Sequence, residues 1–261
     1  MKRLIRSLCA VCLLVCAPAS AQEGEVDIAL VLAVDVSNSM DREEQELQRQ
    51  GFVEAFRSPL VHAAVRDGML GRITVAYVEW AGEGEQRLIV PWTVIDGPET
   101  ATAFADRLQA APISRARRTS ISGAIDFGIG LFASSNVDAL RQVIDISGDG
   151  ANNRGRPITQ ARDEAVAKGV TVNGLPLMLK KPRSYWDIED LDLYYRDCVI
   201  GGQGAFMVPV RERRQFAEAI KTKIIREIAA TPQESLIKPA QAEARVNCFA
   251  VQNPQLDQWR N

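Results

Sequence analysis

Residues 28–34 are seven consecutive apolar residues, and the run stops abruptly at Asp35, Ser37 and Ser39. A stretch of that length, rich in Val, Leu and Ile and closed by a polar turn, suits a central strand of a parallel sheet covered on both faces. A helix is expected next. Ser39 can cap its N-terminus, and Asp41, Glu43 and Glu44 place negative charge in its first turn, where exposed N–H groups favour it. The Asp-x-Ser-x-Ser array therefore falls on a strand-to-helix loop at the carboxyl edge of a sheet, where open α/β folds hold their ligands. Three hard oxygens at alternate positions can converge on one point and suit Mg²⁺ or Mn²⁺ rather than zinc. The same residues also read simply as a capped helix after a core strand.

The rest of the chain alternates strand and helix. A helix over 41–57 presents Leu47, Gly51, Phe52, Ala55 and Phe56 at helical spacing and ends before Pro59. His62, the single histidine, lies just beyond it and reads as a surface or half-buried residue. Residues 73–80 and 87–95 read as a hairpin across a Gly/Glu-rich turn. Pro91 cannot donate to a ladder, so the second strand belongs at a sheet edge. Trp80 and Trp92 read as core or rim aromatics. A helix over 98–110 leads to a basic loop, Arg115, Arg117 and Arg118, and then to a helix capped by Ser120, which leaves the Thr119 hydroxyl free to face whatever lies above the sheet. The arginines read as a solvated loop, or, beside a metal, as an attraction for an acidic ligand.

Residues 141–147 form the next buried strand, ending in Gly148-Asp149-Gly150-Ala151-Asn152-Asn153. Asp149, between two glycines, is a carboxylate on a backbone-permissive turn. Asp145, inside the strand, calls for a structural partner instead. A helix over 157–168, a strand over 170–175, a less regular insert over 180–204, a short strand over 205–208 and an amphipathic helix over 211–230 complete the pattern. It predicts an α/β, doubly wound, mostly parallel sheet with helices on both faces and one antiparallel edge strand. With strand order 3-2-1-4-5-6, the strands ending at Asp35 and Ser147 flank the switch point. Asp35, Ser37, Ser39, Thr119 and Asp149 then share one crevice as loop ends expected to be exposed.

The first residues read as an export signal rather than as fold. Lys2, Arg3 and Arg6 precede an apolar run, and Ala19-Ser20-Ala21 supplies a small-x-small cleavage site. Cleavage between Ala21 and Gln22 leaves 261 − 21 = 240 residues and moves the formal charge from −2 to −2 − 3 = −5. A lipid anchor on Cys16 fits less well, because Val15 is larger than the small residue expected before it. The expected organisation is a signal peptide over 1–21, one domain over 22–232 and a C-terminal tail over 233–261, in a periplasmic or secreted protein without stable membrane insertion. Mild acidity argues against nucleic acid as a partner. Of five cysteines, only Cys198 and Cys248 survive cleavage, a disulfide candidate in an oxidising compartment.

With its motifs in order, the chain resembles the von Willebrand factor type A fold and its metal-ion-dependent adhesion site. That family's pattern is Asp-x-Ser-x-Ser after the first strand, a Thr in a later loop and Asp-Gly after the fourth strand. Here it falls on Asp35, Ser37, Ser39, Thr119 and Asp149-Gly150, and the resemblance covers about 26–230. The whole chain is further similar to an uncharacterised bacterial branch of exported proteins of this type. The resemblance implies that Ser37, Ser39 and Thr119 bind Mg²⁺ or Mn²⁺ directly or through water. Asp35 and Asp149 hold it partly from behind those ligands, and a partner protein's Asp or Glu completes the shell.

Two other readings stand beside this one. A haloacid-dehalogenase-like phosphatase shares the layout, and Gly148-Asp149-Gly150-Ala151-Asn152-Asn153 resembles its Gly-Asp-Gly-x-Asn-Asp metal motif. Against it, the residue two after Asp35 is Ser37 rather than an acid/base Asp, and no lysine lies between Thr119 and Asp149. The third reading is a structural module whose metal only ties loops together. A Ser-His-Asp or Cys-His hydrolase is weaker still, with one histidine and no nucleophile elbow.

Overall fold

A computed structural model describes residues 24–180, 188–229 and 246–249. The expected signal, its cleavage point between Ala21 and Gln22, Trp186 and most of the tail lie outside the described residues. The apolar run becomes a strand buried along its whole length. In chain order the elements are β1 (Glu25–Val26), β2 (Ala29–Asp35), α1 (Arg42–Arg57), α2 (Pro59–Arg66), β3 (Ile73–Trp80), β4 (Gln86–Ile95), α3 (Pro98–Ala110), α4 (Ile121–Phe132), β5 (Asp138–Ala139), β6 (Gln142–Gly148), α5 (Ile158–Ala167), β7 (Val170–Pro176), α6 (Leu191–Tyr194) and α7 (Phe216–Ala229).

Five strands form the main sheet in the order β4-β3-β2-β6-β7, parallel except for the antiparallel β3–β4 pair. In sequence order of the sheet's own strands this is 3-2-1-4-5, so β2 and β6 are neighbours at the switch point, as expected. Pro91 sits on the edge strand where the ladder slips, between the pairs Val75↔Thr93 and Tyr77↔Val90. The expected sixth strand over 205–208 does not form. Its neighbourhood meets β7 through isolated bridges, Gly174↔Met207 and Leu177↔Val210, and Pro209 between those two positions has no N–H to give.

The two-residue period of β2 divides the core. Ile28, Leu30, Leu32 and Val34 face one apolar cluster with Phe52 and Phe56 of α1, Phe104 of α3 and Phe216, Ile220 and Ile224 of α7. Ala29, Val31 and Ala33 face the other, with α4, α5, Tyr194 and Tyr195. The smaller residues on the second face let α4 approach closely. A Cβ added at Gly128 of that helix would stand 2.9 Å from Ile144 of β6. His62 is half-buried and bonds the Phe56 carbonyl oxygen at 2.7 Å through Nε2. Trp80 is fully buried and Trp92 donates to the Leu131 carbonyl at 3.0 Å.

Cys198 and Cys248 are bonded, with Cα atoms 5.6 Å apart across a sequence separation of 50. The bridge ties the described piece of the tail to the helical turn Tyr195–Val199, beside a bond from the Val246 N–H to Asp197 at 3.0 Å. Reducing it, or replacing Cys248 by Ser, is expected to lower unfolding free energy by about 2–4 kcal/mol. Urea midpoints with and without reductant measure this, and equal midpoints would contradict it.

Candidate functional site

The carboxyl ends of β2 and β6 lie side by side, Val34 paired with Ser147, and the loops leaving them converge. Asp35 Oδ1 accepts from the Ser37 N–H at 2.7 Å, closing a local turn that aims Ser37 and Ser39 upward. Their hydroxyls are 2.8 Å apart, and Ser39 Oγ donates to Asp149 Oδ1 at 2.6 Å, linking positions 110 residues apart. Gly148 allows the approach. A Cβ there would sit 3.0 Å from Asp35 Oδ2 and 3.1 Å from the Tyr195 hydroxyl. Thr119 closes the ring, its Oγ1 3.7 Å from where a Gly150 Cβ would stand. Arg118, at φ 75°, takes the left-handed conformation that a non-glycine residue adopts at a cost of about 1 kcal/mol, and so turns the chain into Thr119.

All five predicted residues are thus brought to one crevice, with two corrections. Ser39 is not the cap of α1. That role belongs to Asp41, which accepts from the Glu44 N–H at 2.9 Å while Glu44 accepts from the Asp41 N–H at 2.9 Å, a reciprocal capping box. The helix starts late enough that the Ser39 hydroxyl is left for Asp149. Nor are the site residues uniformly exposed loop ends. Asp35 is 0 % exposed, Ser37 1 % and Thr119 4 %, because the loops pack over the sheet edge, whereas Ser39 is exposed and Asp149 half-buried. Ser120 caps α4 as expected, accepting from the Gly123 N–H at 3.2 Å.

Side chains that periodicity could not assign hold the loops in place. Gln48 of α1 donates to the Asp35 carbonyl at 3.3 Å and accepts from Ser147 Oγ at 3.0 Å, joining the two strand ends. Gln45, one turn earlier, donates to the Val36 carbonyl at 3.1 Å. Asn152 and Asn153 accept from the Ser122 and Thr119 N–H groups, each at 3.0 Å. These are two of the residues that carry the phosphatase resemblance, and here they stitch the β6 loop to α4. Lys180, beyond β7, donates to the Ser39 carbonyl at 2.9 Å and pairs with Glu44. The available signals were two glutamines spaced three apart on the buried face of α1 and a lysine ending the apolar run Leu177-Met178-Leu179.

The crevice is short of positive charge at its floor. Burial, and then the charge of Asp149, hold the Asp35 carboxyl well above the usual carboxylate range, against the opposing bonds from Ser37 and the Asp149 backbone. Its Oδ2 is buried and meets no donor in hydrogen-bond geometry, the Asp149 backbone N–H lying only near enough to offset part of the shift. Burial likewise keeps the Tyr195 phenol beneath Gly148 protonated, with Asp35 and Asp149 adding to the shift, and a phenol brings no positive charge in either state. A buried carboxylate oxygen left unpaired is costly, and a second carboxylate nearby raises the cost. Among the described residues, no group of three or more His, Cys, Asp or Glu side chains is placed to hold a metal. Two carboxylates and three hydroxyls are instead a hard-oxygen set, the donor chemistry that a small divalent cation takes.

Residues 25–232 match the family described as "Protein of unknown function (DUF1194)". The chain belongs to that family. No curated protein matches it. Solved structures show that the family's fold is here that of a von Willebrand factor type A domain, in agreement with the resemblance seen in the sequence. Proximal thread matrix protein 1 of the mussel byssus is 13% identical with a TM-score of 0.56, over 77% of this chain and 47% of that one. It has also been solved with a zinc-occupied MIDAS motif. The pilus adhesin SpaC of Lactobacillus rhamnosus GG is 12% identical, TM-score 0.56, over 78% and 30%. A von Willebrand factor type A protein of Catenulispora acidiphila is 12% identical, TM-score 0.53, over 78% and 43%. This chain spans less than half the length of each of the three.

Proposed function

We propose that Asp35, Ser37, Ser39, Thr119 and Asp149 hold one Mg²⁺ or Mn²⁺ ion, and that this protein, exported through a cleaved signal peptide, uses it to capture an Asp or Glu side chain of a partner protein. The observation that carries the reading is the buried, unpartnered Asp35 Oδ2 beneath Asp149 and three hydroxyls. The zinc-occupied motif of the mussel protein supports a divalent cation at loops of this fold. Ser37, Ser39 and Thr119 would contact the ion as neutral donors, while Asp35 and Asp149 balance its charge. When bound, the cation supplies an electrophilic centre with a coordination position open to an incoming carboxylate. Gln45 and Gln48 fix the backbone beneath these groups, so the site is set before a partner arrives.

No catalytic role is included in this reading. Ser37 stands where a phosphatase would need a carboxylate to move protons, and Lys180 is committed to Glu44 and the Ser39 carbonyl. Titration calorimetry with Mg²⁺ tests the proposal: Asp35→Ala and Asp149→Ala are each expected to weaken binding at least tenfold, on the scale of the losses caused by altering a metal site's supporting shell. Unchanged affinity in both variants would remove the site.

A further inference from the structure

A cleft of about 620 Å³ opens directly beside the proposed ion, with Ser39 and Asp149 in its wall. Its volume lies within the roughly 300–1,000 Å³ of small-ligand pockets. The floor is apolar, made by Leu177, Met178, Leu179, Ile188 and Leu191. Of these Leu177 and Leu191 are buried and the other three half-buried. Of the carboxylates on its lip, Asp149 belongs to the proposed ion site, Glu189 is exposed, and the other two are neutralised within the chain. Asp41 and Glu44 are already met by Lys180 and Arg213.

The Thr119 side of the site has a different chemistry. The Ala116 N–H bonds the Val36 carbonyl at 3.3 Å and the Arg154 N–H bonds the Thr119 carbonyl at 3.1 Å. The backbone of Arg115, Arg117, Arg118 and Arg154 therefore runs against the site loops. All four residues are exposed, and none pairs with an acidic side chain among the described residues. In a protein of net negative charge, a basic rim around one crevice selects an acidic ligand.

We propose that the captured partner segment is a composite. It carries a bulky apolar side chain next to the Asp or Glu given to the cation, and further acidic residues on the other side. The apolar side chain enters the cleft over Ile188 and Met178, and the extra acids face the loop of Arg115, Arg117 and Arg118. Neither half alone suffices. A purely acidic segment leaves the apolar floor hydrated, and a purely apolar one leaves the arginines unmatched. Methionine in the floor lets the cleft accept Leu, Ile, Met or Phe with little discrimination.

This inference rests on metal-dependent capture, and one experiment separates the two. A displayed random-peptide library is panned on the full chain in Mg²⁺ and again in EDTA, with Mg²⁺ calorimetry in parallel. The expected Mg²⁺-dependent winners combine Asp or Glu with an adjacent large apolar residue and additional acids. Ile188→Glu and, independently, Met178→Lys are expected to keep Mg²⁺ affinity, which also shows that they fold, and to weaken the synthesised winning peptide by on the order of tenfold or more. Arg117→Ala with Arg118→Ala is expected to remove the preference for extra acids. Mg²⁺-dependent winners with no apolar preference, or an unchanged preference in both cleft variants, would overturn the inference and leave carboxylate capture standing. Absence of Mg²⁺-dependent winners despite measured Mg²⁺ binding would overturn both the inference and capture, and absence of Mg²⁺ binding would overturn the site itself.

Discussion

Asp35→Asn is expected to make the metal-free protein more stable, not less, and to abolish its stabilisation by Mg²⁺. The asparagine keeps the one bond that Asp35 makes through Oδ1, accepting from the Ser37 N–H at 2.7 Å. What it removes is a fully buried acid whose ionised form is opposed first by burial and then by the charge of Asp149. An amide nitrogen still occupies the Oδ2 position, so the gain is only the excess cost of a buried acid opposed by a second carboxylate over a neutral amide, on the order of 1 kcal/mol. The variant in EDTA should therefore melt higher, by about 2–4 °C for each kcal/mol regained in a chain of this size. The wild-type protein should close the gap in Mg²⁺, gaining about 2.7 kcal/mol at a concentration one hundred times its dissociation constant. Melting curves with EDTA and with saturating Mg²⁺ decide it. A variant that is less stable than wild type in EDTA, yet rises equally with Mg²⁺, would mean that Asp35 is an ordinary turn residue. The paired signs matter because deleting a merely structural hydrogen bond lowers stability under both conditions.

The parts of this molecule that were legible in the sequence are those written in periodicity and punctuation. The run over 28–34 suited a buried strand, and its abrupt end at Asp35 located the loop. Pro91 put β4 at the edge. The expected helix over 98–110 and strand over 73–80 coincide with α3 and β3, since Pro98 opens the one and Gly-rich turns bound the other. The site residues were legible because each follows an apolar strand or precedes an apolar helix. What local pattern could not supply was the use of polar groups at long range. Whether Ser39 or Asp41 caps α1 depends on where the first helical turn closes, and both carry suitable oxygens. Gln48 is an ordinary helix residue until the register of β2 against β6 places Ser147 opposite it, and Gln45 until the loop after β2 turns the Val36 carbonyl towards α1. Lys180 lies 141 residues from the carbonyl it bonds. The two-residue strands β1 and β5 are too short to give any alternation, and they pair only because the chain returns beside itself at Asp138.

Lys223→Met is expected to be the most destabilising single change away from the site, costing about 3–5 kcal/mol, the range for breaking a buried ion pair from one side. The two-residue period of β6 turns Asp145 and Ser147 to the face covered by α1 and α7, where Asp145 Oδ1 meets Lys223 Nζ at 2.7 Å. Lys223 also bonds Glu227 one turn along α7, and Glu227 accepts from Asn173 Nδ2 at 2.6 Å. All of these groups are buried. Burial alone would lower the Lys223 ammonium, but the charges of Asp145 and Glu227 outweigh it and hold it above its ordinary range. Burial raises the Glu227 carboxyl despite the lysine and the Asn173 amide, so Lys223 is the positive charge that makes two buried acids tolerable in one place. Methionine fills similar space without the charge and leaves those acids facing each other. Asp145→Ala should cost less, because Lys223 keeps Glu227. Against a domain stability of about 5–15 kcal/mol the Lys223 loss is a large fraction, and urea midpoints will show it; a Lys223→Met midpoint equal to wild type would refute it. Mg²⁺ affinity should be unaffected in both variants. Asp145 and Asp149, four residues apart in the chain, would then separate cleanly, one altering stability without metal binding and the other altering metal binding.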